Sequence, residues 1–279
     1  MNPLVKFFAG GFFFANLHTI FKKGIDNVNN DQYNQLKAHT PSLYIIIPAY
    51  NESANISHVI EEWYPVIERH NANGLSRLVV IDDGSKDDTL SILKDLSRTR
   101  NLLCPVTKEN GGHGSAVLAG YRYAIEHGAD YIFQTDSDGQ TLASEFESFW
   151  ELRNDYDAVI GTRPSRGDGV PRKFVEKVLC MLIRIIFGVK VPDANAPFRL
   201  MKRELVEKYT SKLPRDFNLP NAMLTTYFAY FHERIAFRNI TFKPRQGGVN
   251  SINVKKIFAI GIKALKDFIY LRRRISYEK

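Results

Sequence analysis

From Pro41 onward the chain alternates short apolar runs with longer stretches in which apolar positions recur every three or four residues. "LYIIIP" (43–48) is continuous and apolar, the pattern of a strand buried on both faces in a parallel sheet. A helical pattern runs from Ala54 to Arg69. "RLVVIDDGS" follows as strand and turn, then a helix near 87–97 and the strand "NLLCPV" (101–106). A helix starting near Gly114 leads to a fourth strand, "YIFQTD" (131–136). A helix over 143–153 and a fifth strand, "DAVIGTR" (157–163), complete the series. Strands alternating with helices at this spacing predict an α/β fold with a doubly wound, mostly parallel sheet. No internal repeat is visible.

The flanks differ from this pattern. "FFAGGFFFANLHTIF" (7–21) is apolar but carries Asn16, His18 and two glycines. It falls short of the about 20 apolar residues that a membrane-spanning helix needs, and it lacks the small-residue cleavage site of a signal peptide. An interfacial or partner-packing helix is the expectation. "GIDNVNNDQYNQLKAHT" (24–40) is polar and reads as a linker. At the other end, Val254, Ile257, Phe258, Gly261, Leu265 and Phe268 fall near helical spacing among lysines, with Arg272, Arg273 and Arg274 following. This predicts added terminal helices, the last one basic and amphipathic. Such a helix either lies on anionic lipid or docks on the core with its basic face in water.

Composition changes this picture little. With 279 residues, 44% hydrophobic and 24% charged, the chain has ample core for one large α/β domain or two small ones. The formal charge of +8 is concentrated near the C-terminus, which argues for one basic surface and against general nucleic-acid binding. Cys104 and Cys180 sit in apolar contexts with no ligand spacing, as expected of buried thiols in a reducing compartment.

Three predicted strands end in unusual polar residues: "PAYNE", "DDGS" and "DSDG". In doubly wound sheets ligands bind beyond the carboxyl ends of the strands, so the three form the pattern of one site. At Asp82-Asp83-Gly84-Ser85, Ser85 is expected to cap the next helix with Asp88 completing a capping box. The doubled acid needs more than a turn, and a carboxylate here can accept from a base N–H or a ribose hydroxyl. "ENGGHGSAVLAG" (109–120) is a glycine-rich turn into a helix, able to approach phosphates closely, though Val117 breaks the dinucleotide fingerprint and no Walker A loop occurs. His113 in this loop reads as a solvated turn residue. In "QTDSDGQ" (134–140), Asp136 and Asp138 are two apart on an extended segment and so point to one face. The plain alternative is a solvated turn with Gly139 supplying positive φ. With the Gln140 amide oxygen, the two carboxylates make an oxygen-only ligand set suited to Mg²⁺ or Mn²⁺ and poor for zinc.

"IIIPAYNE", "VVIDDGSKDDT", "NGGHGSAVLAGY", "TDSDGQ" and "VIGTR", in this order and spacing, resemble the family 2 glycosyltransferases with the GT-A fold, over roughly 41 to 250. The resemblance is strongest to polyprenyl-phosphate sugar synthases of the dolichyl-phosphate mannose synthase type. Those carry D-x-D-x-Q, a GSR-like strand end matched by Gly161-Thr162-Arg163, and a D…GFR segment matched by "PDANAPFR" (192–199). The resemblance implies a GT-A domain over 41–250, with a nucleotide half (41–140) and an acceptor half (141–250), between the segments 1–40 and 251–279. It implies that Pro48, Tyr50, Glu52, Asp82 or Asp83, Gly112, Gly114 and Asp136 hold the nucleotide of a UDP- or GDP-sugar. Asp136, Asp138 and Gln140 would bind the metal. Asp138, Asp193, Arg163 and Arg199 would form the catalytic set, and Arg199, Arg245 and Gln246 would face acceptor or donor phosphates.

The implied activity is inverting, metal-dependent glycosyl transfer to a membrane-presented acceptor at the cytoplasmic face. Polyprenyl phosphate is the first expectation, and a lipid-linked or surface glycan hydroxyl the second. Relatives that glycosylate a hydroxyl carry an acidic base late in the domain, whereas "FNLPNAMLTTYFAY" (217–230) has no Asp or Glu. Asp193 is the remaining acidic candidate. A hydroxyl needs a general base; a lipid phosphate is already ionised. "APFR" in place of GFR and the tail "PRQGGVNS" (244–251) depart from the synthase pattern. A nucleotidyltransferase would carry a glycine-rich loop with Arg and Lys where this chain has "PAYNESAN", and a non-catalytic relative would have no need of Asp136 and Asp138. The Phe-rich N-terminus leaves homo-oligomerisation open.

Overall fold

The computed structural model describes residues 40–164, 170–244 and 254–276; the side chains of 170–174, 254–260, 262 and 276 fall outside the described set. The segment expected over 1–40 therefore lies, but for Thr40, outside the described residues, and so do Arg245 and Gln246. Pro41–Lys279 falls in one compact unit.

Its strands are β1 (Leu43–Ala49), β2 (Arg77–Asp82), β3 (Leu103–Thr107), β4 (Tyr131–Gln134), β5 (Ala158–Thr162), β6 (Arg199–Lys202) and β7 (Ile235–Asn239). The described helices are α1 (Ile56–Arg69), α2 (Thr89–Ser97), α3 (His113–Glu126), α4 (Glu147–Trp150), α5 (Val170–Phe187), α6 (Arg203–Thr210), α7 (Pro220–Tyr230) and α8 (Val254–Ser276). The strands form one sheet in the order β3-β2-β1-β4-β6-β5-β7. β1 to β4 are mutually parallel, β6 runs against both β4 and β5, and β7 is parallel to β5. One antiparallel strand among the described seven thus interrupts a parallel sheet.

The alternation within β1 explains the layering. Leu43, Ile45 and Ile47 pack into a core with α1, α2 and the 143–154 segment, while Tyr44 and Ile46 face α3, α6, α7 and the inner sides of α5 and α8. A strand apolar on both faces is what a sheet covered on both sides demands, and each such side chain contributes about 1.5–3 kcal/mol on burial. α1 buries Ile56, Val59, Ile60, Trp63, Val66 and Ile67, a single stripe at helical spacing. α7 starts with Pro220 at its first turn, where a missing N–H costs nothing. It is buried on all sides from Pro220 to Phe228.

Three local expectations change. The helix expected over 143–153 is broken into 3₁₀ turns around the single α-turn α4. Ser85 does not cap a helix: α2 starts at Thr89, the Asp87 carboxylate accepts from the Thr89 N–H at 3.1 Å, and the Ser85 hydroxyl accepts from the Asn51 N–H at 3.0 Å. In α8 the buried stripe is Ala264, Phe268, Leu271 and Ile275, whereas Leu265 is exposed. Among the described residues no helix is long and apolar enough to cross a membrane.

Candidate active site

Because six strands run one way, their carboxyl ends meet at one edge, and β6, running the other way, begins there. The edge collects Tyr50 after β1, Asp82 and Asp83 at β2, Thr107 and Lys108 at β3, Thr135 to Asp138 after β4 and Arg163 after β5. Arg199 pairs in register with Gln134 across β6 and β4. Strand order reverses between β1 and β4, the place where open α/β sheets bind ligands.

The doubled acid has two separate loops to hold. Asp82 accepts from the Ser85 N–H at 3.2 Å and the Thr107 hydroxyl at 2.9 Å. Asp83 accepts from the backbone N–H groups of Gly111 at 3.0 Å and Gly112 at 2.7 Å, and from Lys108 Nζ at 2.5 Å. The Asn110 amide donates to both its backbone and its side chain. Both aspartates are buried, and buried carboxylates demand such donors. Gly112 adopts φ +86°, a conformation that favours glycine, and so turns its N–H onto Asp83. Gly114 is needed for contact: a Cβ there would lie 2.3 Å from the Phe217 carbonyl oxygen. The glycine-rich turn is thereby pinned to β2 on one side and to the 217–218 loop on the other.

In "DSDGQ" the two carboxylates are half-buried. Asp136 Oδ1 is a buried oxygen with no hydrogen-bond partner among the described residues, and the His113 imidazole Nε2 lies 3.9 Å from it. An orphaned carboxylate oxygen beside a second carboxylate, Asp138, fits a divalent cation. Among the described residues no three acidic, His or Cys groups are placed to hold a metal ion together, so Mg²⁺ or Mn²⁺ here would need water and substrate phosphate to complete its shell. Asp138 accepts from the Gln140 N–H at 3.2 Å. Gln140 is buried; its side-chain amide donates to the Lys243 carbonyl at 2.7 Å, and the Lys243 N–H returns a bond to the Gln140 carbonyl. The residue ties the loop to the segment after β7, with its Oε1 left as the atom a metal could use.

The part of the domain after residue 140 contributes an ion cluster. Arg163 grips Asp193 through Nε and Nη2, each at 2.8 Å, and through its backbone N–H at 3.2 Å. The Asn195 N–H adds a further donor to Asp193. Glu176, on α5, accepts from the Ala194 N–H at 2.8 Å and approaches Arg163 Nη2 at 3.7 Å. Burial and then the neighbouring Asp193 charge push the Glu176 carboxyl up. Burial works against the Arg163 charge, but Asp193 outweighs it and holds the guanidinium above its usual range. The Asp136 charge is felt by both Arg163 and Arg199, so acids of one half and cations of the other share one field.

Arg199 lies beneath this floor. It is fully buried and donates to the carbonyls of Ala196 at 2.6 Å and Asn221 at 3.1 Å, which hold it away from the surface. Next to it, Tyr121 donates to Gln134 Oε1 at 2.5 Å, and Asn221 Oδ1 lies 3.4 Å from the same hydroxyl. Pro48 is buried within β1. The Glu52 side chain is buried and accepts from the Asn55 amide at 2.8 Å. Tyr50 alone of that stretch offers an exposed ring, 42% accessible.

Sequence reasoning missed Lys108, Glu176 and the Tyr121–Gln134 pair, and gave His113 no partner. Glu176 carried a signal: it stands at helical spacing with Cys180, Ile183 and Phe187, an acid in an otherwise apolar stripe.

A family profile, "Glycosyl transferase family 2", matches residues 44–210. The chain is 29% identical over 247 residues to an uncharacterised glycosyltransferase of Synechocystis, covering 85% of this chain and 75% of that protein. It is 25% identical over 191 residues to the UDP-N-acetylglucosamine–dolichyl-phosphate N-acetylglucosaminyltransferase of Methanococcus voltae, covering 61% and 73%. Among solved structures, glucosyl-3-phosphoglycerate synthase of Mycobacterium tuberculosis in complex with Mn²⁺ and UDP-glucose superposes with a TM-score of 0.61 at 19% identity, over 83% of this chain and 79% of that one. That likeness establishes a GT-A fold. With the profile spanning more than half of its length, the chain belongs to glycosyl transferase family 2.

Proposed function

We propose that this transferase moves a sugar, with inversion, from a nucleoside-diphosphate sugar to a polyprenyl phosphate presented at the cytoplasmic face of a membrane. The observation that carries the donor side is the orphaned Asp136 oxygen beside Asp138 at the strand-order switch. Asp136 and Asp138, with Gln140 Oε1, are the groups that would hold Mg²⁺ or Mn²⁺. When bound, the cation would neutralise charge on the departing diphosphate. Tyr50 would stack on the base, and the 108–114 turn, fixed through Asp83, would shape the mouth.

The acceptor side rests on what the cluster does not offer. Asp193 has both oxygens engaged by Arg163 and backbone N–H groups, a poor arrangement for accepting a proton. A phosphate oxygen needs no base: it forms the bond to the anomeric carbon as the bond to the diphosphate breaks on the opposite face. Arg163, Glu176 and Asp193 then position the floor on which the acceptor phosphate sits, with Arg199 adding positive potential from below. The Methanococcus relative is named for a dolichyl-phosphate acceptor, and this supports the same class here. A glycan hydroxyl as acceptor is the second reading, and it requires a base that Asp193 is badly placed to be.

The test is calorimetric titration with UDP and GDP, with and without Mn²⁺, on the wild type and on Asp138→Ala. One nucleotide should bind with metal dependence, and the variant should lose at least about tenfold in affinity, roughly 1.4 kcal/mol. Absence of binding by either nucleotide in the wild type would defeat the reading.

A further inference from the structure

Eight large hydrophobic side chains are exposed among the described residues, and six of them lie on α5 and α8: Val175, Met181, Ile185, Leu265, Ile269 and Tyr270. The two helices pack side by side, Phe187 of α5 meeting Phe268 of α8 with ring centroids 6.1 Å apart. Their inner faces enter one core. The outer faces combine the apolar residues with cations at helical spacing. On α5, Lys177, Met181, Arg184 and Ile185 are all exposed, and offsets of four, seven and eight residues place them on one face. On α8, Leu265, Ile269 and Arg273 form one exposed row and Lys266, Tyr270 and Arg274 another. Ile185 is 71% accessible, Tyr270 59% and Met181 52%.

Single exposed apolar residues need no explanation. Six gathered on two adjacent helices, each flanked by Lys or Arg, do. Burying them in water-excluding protein would strand the cations. A bilayer surface accepts both kinds of group, with the side chains entering the acyl boundary and the cations meeting lipid phosphates.

We propose that the outer faces of α5 and α8 form a two-helix platform that docks on anionic lipid. The proposal deepens the functional reading and rests on it for its purpose, because α5 has a second face. Its inner side carries Glu176 into the Arg163–Asp193 cluster, five positions from Met181 and so about 7.5 Å away along the helix axis. One helix then touches the membrane and helps build the acceptor floor, which places a lipid-borne phosphate beside the cluster.

Vesicle flotation tests this with phosphatidylcholine alone and with added phosphatidylglycerol, on the wild type, on Met181→Asp/Ile185→Asp and on Lys266→Ala/Arg273→Ala. The wild type should float with anionic vesicles and stay in solution with neutral ones. The aspartate pair should abolish flotation, and each lost cation should weaken it roughly fivefold. Far-ultraviolet circular dichroism and the nucleotide titration should be unchanged in both variants. Wild-type protein that ignores anionic vesicles, or an aspartate variant that floats as well as the wild type, would overturn the platform. A concentration-dependent dimer broken by the aspartate pair, with no flotation, would overturn it too and assign the face to a second copy. Loss of nucleotide binding with flotation intact would strike the functional reading and leave the platform standing.

Discussion

The two halves of the domain handle buried charge differently. In the first half, up to residue 140, Asp83 is held by two backbone N–H groups, an asparagine amide and one lysine, all within the 108–112 segment. In the second half, from residue 141, Arg163 and Asp193 hold each other, with Glu176 third, and the three come from three separate stretches of chain. A carboxylate bound by backbone leaves a rigid loop and no stranded partner. In a side-chain pair only 5% exposed on both members, the loss of one leaves a buried charge poorly balanced: without Asp193, Arg163 keeps only Glu176, at 3.7 Å. The first half fixes a loop that can meet a ligand through its backbone; the second holds a charge balance that a ligand could perturb.

Removing each acid should bring this out most strongly. Asp193→Ala is expected to cost about 3–5 kcal/mol, the penalty for breaking a buried ion pair. Asp83→Ala is expected to cost about 1–3 kcal/mol, the loss of a hydrogen-bond acceptor, because Lys108 is partly exposed and can turn to water. Urea denaturation of the two variants measures both. An equal or larger loss at Asp83 would collapse the contrast.

The same contrast explains what could be read from the sequence. The strand runs of the first half are continuous and apolar, and their polar ends follow at once, so "DDGS" and "DSDG" announced a site before any fold was known. The use of Asp82 and Asp83 was half legible: a doubled acid needed an explanation, but that each serves a different loop depends on β3 lying beside β2. β6, "RLMK", is four residues long and reverses direction, which no periodicity shows. With it went the burial of Arg199, since the resemblance supplied an arginine at that position but not the carbonyls of Ala196 and Asn221 that receive it. Glu176 was legible in its spacing but has no meaning until α5 is seen to bring it against Arg163 and the Ala194 N–H. Ser85 followed the rules of helix capping and lost to Asp87, two residues closer to the helix start.

Where the halves touch, a smaller effect should separate them. α3 begins in the first half, and Gly114 in its first turn lies against the Phe217 and Asn218 carbonyls of the second half. Gly114→Ala would place a methyl 2.3 Å from the nearer oxygen. Overpacking of this kind costs about 1–3 kcal/mol, and for a chain near this size the melting temperature falls by about 2–4 °C for each kcal/mol. A thermal melt reads it. A variant that melts like the wild type would mean that the 217–218 loop yields, and that the seam between the halves is softer than either core.

The smallest effect lies at the other end of β5, where the second half has another ion cluster, this one facing water. Asp157 precedes β5 and meets Arg234 Nη2 and Lys202 Nζ, each at 2.8 Å. The hydrogen bond from Arg234, with further help from Lys202 against a modest burial penalty, lowers the Asp157 pKa to about 2. A carboxylate depressed on folding stabilises the native state at pH values above its unfolded pKa of about 3.9. That contribution falls away as pH drops from about 4 through about 2. Arg234 is 61% exposed, so solvent screening reduces the gain to about 1 kcal/mol. Asp157→Asn should therefore lie about 1 kcal/mol below the wild type at neutral pH and converge with it near pH 2, roughly the folded pKa. The check is chemical denaturation of both proteins across that range. A gap that persists at the acid end would show that the loss comes from how the amide fits between Arg234 and Lys202 rather than from the missing charge, and the contrast between a buried pair that the fold depends on and an exposed one that only trims it would need redrawing.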